Sequence, residues 1–134
     1  MLQLYSSEIS VNANELIPFN SFAVRTTGPE GYLSPTSVQL LNPGVYYVSV
    51  DAYATPAAAG DVSIQLMVDG VLRPEAINAV TGAADTVANL HFGTFVQVEG
   101  GCCCQRLNRD IIQVMNGATA LTGLHINMTV FKLR

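Results

Sequence analysis

Hydrophobic and polar residues alternate along most of this chain with a period of two, the repeat of a strand whose side chains point to opposite faces. The longest clean run is Gly44 to Ala54. Its even positions, Tyr46, Val48, Val50, Ala52 and Ala54, are apolar or aromatic, and its odd positions mix Tyr47 and Tyr53 with Ser49 and Asp51. One face therefore reads as core and the other as a half-polar surface rich in aromatic area. A strand of this kind needs neighbours on both edges and a second sheet over its apolar face.

The remaining pattern supplies those neighbours. Residues 9–18 alternate loosely through Ile9, Val11 and Ala13, and Phe22 to Arg25 and Ser37 to Leu41 are short apolar pieces. Asn42-Pro43-Gly44 is a turn that launches the long strand. Val62, Ile64, Leu66 and Val68 share a face and end at Asp69-Gly70, a strong hairpin signal. Val71 to Arg73 begins the return, which Pro74 stops or places on a sheet edge. Residues 75–86 are small and polar and predict a long loop. Ala88, Leu90, Phe92, Val96 and Val98 predict a half-buried strand over 87–98, with Asn89, His91, Gly93, Phe95 and Gln97 opposite. Asp110 to Asn116 and Leu124 to Leu133 close the chain, the latter with Leu124, Ile126, Met128 and Val130 on one face and His125, Asn127, Thr129 and Phe131 on the other. Ala57-Ala58-Ala59 lies between Pro56 and Gly60 and is a turn, not a helix. Eight to ten short strands with evenly spaced turns predict an all-β antiparallel β-sandwich, a jelly roll, as one domain over 1–134. An immunoglobulin sandwich is disfavoured, because the chain has no tryptophan and no widely spaced cysteine pair.

Composition adds an assembly argument. Charged residues are 12% of the chain against a usual share of about 25%, while 49% are hydrophobic. Such a surface is suited to burial against other chains; the alternative is simply a neutral surface. With a net charge of -4 and Lys132 the only lysine, nothing can track a phosphate backbone, so nucleic acid is not an expected partner. No run of 18 apolar residues exists, so membrane insertion is not expected either. Met1 to Glu8 lacks a basic and an apolar region, so no signal peptide is expected; release by lysis or assembly into a particle would take the protein out of a cell.

Several segments together carry a family resemblance. Asn42 to Ser49 resembles the glycine-x-tyrosine strand of the tumour necrosis factor and complement globular-head superfamily, and Gly123 to Val130 resembles its last strand. Ile17-Pro18-Phe19-Asn20, Gly60 to Leu66, Thr81 to Asp85, Cys102-Cys103-Cys104 and Ile112 to Asn116 resemble its bacterial and bacteriophage members. These include heads of collagen-like spore-surface proteins and small phage structural proteins. The resemblance covers nearly the whole chain and implies a ten-stranded jelly roll that forms compact homotrimers. No collagen-like stalk is present in this sequence, which favours the phage branch. In that superfamily the sheet carrying the long strand and the last strand faces the trimer axis. Tyr47, Tyr53, His125 and Phe131 are therefore the expected trimer interface, since aromatic side chains concentrate at interfaces.

Other residues carry less chemistry. Cys102, Cys103 and Cys104 are either inert thiols, interchain cross-links or, as the minor reading, a thiolate metal site built from several chains. His91 and His125 read as polar sheet positions or subunit contacts, with metal binding or pH sensing as the alternative. No Gly-x-Ser-x-Gly, phosphate loop, dinucleotide fingerprint or calcium loop occurs, so neither an enzyme nor a cofactor is expected. The leading expectation is a non-enzymatic trimeric structural protein of a phage particle, contacting other virion proteins as head decoration, head fibre or tail component. A receptor- or glycan-binding head is the first alternative, with Tyr32, Pro56 and Asn78 on loops 26–36, 56–61 and 74–86 as ligand candidates. A bacterial spore- or cell-surface protein is the second.

Overall fold

The computed structural model describes residues 1–26, 28–99 and 110–134. They form ten strands: β1 (Leu2–Val11), β2 (Ser21–Arg25), β3 (Glu30–Ser34), β4 (Ser37–Leu40), β5 (Gly44–Pro56), β6 (Gly60–Val68), β7 (Val71–Gly82), β8 (Ala88–Val98), β9 (Asp110–Asn116) and β10 (Leu121–Lys132). Two antiparallel five-stranded sheets result, a front sheet in the order β2-β1-β10-β5-β8 and a back sheet in the order β3-β4-β9-β6-β7. The pairs β1/β2, β3/β4 and β6/β7 are neighbours within a sheet, and every other connection crosses from one sheet to the other, which is the jelly-roll arrangement expected from the pattern.

Alternation decides which face is buried. On β5 the side chains of Tyr46, Val48, Val50, Ala52 and Ala54 point inward, and on β8 every even residue from Ala88 to Val98, Thr94 included, is buried. Val62, Ile64, Leu66, Ile112 and Val114 meet them from the back sheet. β5 is hydrogen-bonded on both edges, to β10 and to β8, as its continuous apolar face requires. Asp69 and Gly70 have φ of 52° and 82°, the left-handed pair that a two-residue hairpin needs.

Four local expectations are corrected. The strand placed over 9–18 lies earlier, at Leu2–Val11, where Leu2 and Leu4 alternate with Gln3 and Tyr5. Beyond Val11 the chain leaves the sheet, and Ile17 and Phe19 seal the core from outside it. That excursion is fixed by polar ties. The Ser6 hydroxyl donates to the Pro18 carbonyl at 2.7 Å, and the fully buried Asn116 amide donates to the carbonyls of Asn12 and Thr119 at 3.0 and 3.1 Å. Second, residues 75–82 are not loop but the greater part of β7, an edge strand that tolerates Pro74. Main-chain pairing to β6 builds it, and Ala76 is its one fully buried side chain. Third, residues 30–34 pair with β4, so Tyr32 lies on a strand. Fourth, Pro56 ends β5 and is buried, which leaves only 57–59 as the connecting turn.

Candidate functional site

Four neighbouring strands give the outer face of the front sheet a regular grid. Registers place Phe95, Tyr47 and Phe131 in one cross-strand row, and Gly93, Ser49, Thr129 and Gln3 in the next pair-row on that face. His91, Asp51, Asn127 and Tyr5 form a third row, and Asn89, Tyr53 and His125 a fourth. The six residue steps from Tyr47 to Tyr53 put the two ends of this face roughly 20 Å apart.

One end is aromatic. The Tyr47 ring centroid lies 5.3 Å from that of Phe95 and 5.6 Å from that of Phe131, both in tilted geometry. Phe95 is 60% exposed, a large apolar ring left in water on β8, the edge strand of the front sheet. Gly93 beneath explains how the row packs: a Cβ there would collide with the Tyr47 hydroxyl. The other end is mixed. Tyr53 stacks on His125 at 4.6 Å with rings 13° from parallel, and the Glu8 carboxylate lies 4.0 Å from His125 Nε2. The His91 Nδ1 and Asp51 Oδ1 atoms are hydrogen-bonded at 2.6 Å, both side chains being largely exposed. Tyr53, His125, His91 and Asp51, with Tyr5, Ser6, Ser7 and Asn127, line an open depression of about 500 Å³. Among the described residues no group of three or more His, Cys, Asp or Glu is placed to hold a metal ion.

Comparison with solved structures matches this two-sheet arrangement over its whole length. The globular domain of zebrafish complement 1qA protein superposes with a TM-score of 0.73 at 11% identity, covering 99% of this chain and 96% of that one. PRD1 vertex protein P5 does so with 0.69 at 17% identity, covering 99% and 96%. Murine APRIL does so with 0.69 at 11% identity, covering 98% of each chain. The fold is the TNF-like jelly roll. No family model matches the sequence, and no curated protein matches it.

Within this TNF-like jelly roll the four residues expected at a subunit interface share one face but form two separate pairs, Tyr47 with Phe131 and Tyr53 with His125. The three ligand candidates are scattered. Tyr32 sits on β3 at the β2/β3 corner, where its ring meets Phe22 edge-on at 4.8 Å. Pro56 is buried. Asn78 lies on β7, and its side-chain amide donates to the His91 carbonyl at 2.7 Å, tying the edge of the back sheet to the edge of the front sheet. Cys102, Cys103 and Cys104 lie outside the described residues. Phe95 and Gly93 belong to the aromatic end although the pattern did not single them out. The available signal was an aromatic and a glycine among the polar positions of β8, two residues apart on one face.

Proposed function

We propose that this protein is a non-enzymatic structural subunit of a phage particle, a homotrimer that packs through the outer face of its front sheet. The observation that carries the reading is the aromatic row Phe95, Tyr47 and Phe131, with Phe95 exposed and the other two half-buried, on a sheet face whose opposite side already fills the core. Burying such rings against another chain removes apolar area from water at about 25 cal/mol per Å². The low charge of the chain fits the same use. The similarity to PRD1 vertex protein P5 supports a particle role, as head decoration, head fibre or tail component in contact with other virion proteins.

Two measurements test the two halves of this reading. In sedimentation velocity, Phe95→Asp and Tyr53→Glu should convert a three-chain species into folded monomer at micromolar concentration. An unchanged oligomer mass for both would sink the interface. In a density gradient of particles from a producing culture, the protein should travel with the capsid proteins. Its confinement to the soluble fraction would sink the virion role and favour a free or cell-surface protein.

A further inference from the structure

The corner where β2 meets β3, at the edge of the front sheet opposite β8, holds a cation on an aromatic shelf. Arg25 ends β2 with its guanidinium 4.7 Å from the Phe22 ring centroid and 6.0 Å from that of Tyr32. The two rings brace each other edge-on. Among the described residues Arg25 forms no ion pair, although the chain carries more acidic than basic residues. The nearby Glu30 is otherwise engaged: its side chain is buried and its carboxylate lies 2.6 Å from the Met1 amino nitrogen. Arg25 thus presents N–H donors in a fixed fork on an aromatic shelf, the arrangement that receives an oxyanion with two parallel hydrogen bonds.

This fork opens on a depression of about 410 Å³ lined by Arg25, Thr26, Gly28, Glu30, Gly31, Tyr32 and Leu41. That is toward the small end of ligand sites, which run from about 300 to 1,000 Å³. Tyr32 and Leu41 give it apolar walls, and Gly28 and Gly31 contribute main chain without side chains. One unpaired guanidinium suits a singly charged carboxylate better than a phosphate dianion, which would meet Glu30 without a second free cation. An apolar wall beside a polar main-chain floor suits a sugar ring, whose C–H face and hydroxyls differ in the same way.

We propose that this corner binds a carboxylated sugar, a uronic or sialic type of residue on a glycan, with Arg25 receiving the carboxylate and Tyr32 flanking the ring. The site lies within one chain and does not rest on the trimer. The test is saturation-transfer and amide-shift NMR on the intact protein with sodium glucuronate, N-acetylneuraminate, glucose and sodium acetate as probes. At least one of the two sugar acids should move amides around Arg25 and Tyr32, with glucose and acetate weaker by on the order of tenfold. Arg25→Met, which keeps the aliphatic stem, should abolish the effect, and Arg25→Lys should retain only part of it, while distant amides report an intact fold in both. Four results would each overturn the assignment. They are glucose binding as well as the acids, acetate binding as well as the acids, no binding of either sugar acid at tens of millimolar (about the weakest affinity such a contact supports), or undiminished binding by Arg25→Met.

Discussion

Tyr46 shows how a single side chain couples the long strand to the turn that launches it. Its ring is wholly buried, yet its hydroxyl donates to the Asn42 carbonyl at 2.7 Å and accepts the Asn42 amide at 3.2 Å. Burial raises the Tyr46 pKa, against the lowering effect of the bond to Asn42, with the Glu30 charge adding to the rise. Tyr46→Phe would strand both Asn42 main-chain groups, and a loss of about 1–2 kcal/mol is expected. It would appear as an earlier urea midpoint at unchanged slope; an unmoved midpoint would mean that water replaces the hydroxyl at no cost. Asp110 makes the opposite kind of contribution. Burial first, then a hydrogen bond and charge repulsion from Asp69, raise its pKa from 3.8 to about 6, with Arg73 opposing. Between those values the folded chain binds more protons than the unfolded one, so this group's contribution to stability falls as pH rises from about 4 to 6 and stays low above. Asp110→Asn should therefore melt a few degrees above the parent at pH 7.5, with the gain shrinking toward pH 4. An equal difference at both pH values would contradict the titration. The inward positions of β5 and β8 were legible in the sequence because alternation alone assigns them. The pairings of Tyr47 with Phe95 and of Phe22 with Tyr32 were not, because they depend on which strands become neighbours.

Elements differ in how openly the pattern declares them. β5, β6, β8 and β9 have strict alternation and stand where the sequence placed them. β7 does not: most of its side chains face water on both sides, so nothing apolar recurs, and only the partner strand β6 makes it a strand. β1 was missed from Leu2 to Glu8 because Ser6 and Glu8 interrupt the apolar series begun by Leu2 and Leu4, and the register slips between Ser6 and Ile9. Glu8 itself has a φ of 53° at that slip. The candidate interface was half legible for the same reason: Tyr47, Tyr53, His125 and Phe131 follow from alternation on two strands, whereas Gly93 gains its meaning only from the ring above it. Gly93→Ala would push the Tyr47 tip off its place between Phe95 and Phe131. The tip can swing outward, so the fold should survive with little change in melting temperature. Self-association should weaken roughly tenfold, measured by the concentration dependence of sedimentation. Unchanged association would remove Tyr47 from the contact.

For the whole molecule, the front sheet is the asymmetric half. Its inner face completes the core, while its outer face carries an aromatic end and a mixed end that bears Asp51, His91 and His125. A three-fold assembly uses heterologous contacts, so each such face would meet a different patch on the next chain. The aromatic end would then supply most of the contact energy and the mixed end its register, since charge pairs at an interface contribute more to orientation than to affinity. Monomer size limits what a jelly roll of this length does alone; three copies would also multiply any weak site at the β2/β3 corner. The most direct measurement is the native mass of the unmodified protein by light scattering, with and without reductant. The account predicts three chains of 14.3 kDa in both conditions, held by the front-sheet face without disulfides. A monomer in both conditions, or an oligomer that falls apart once reductant is added, would contradict it.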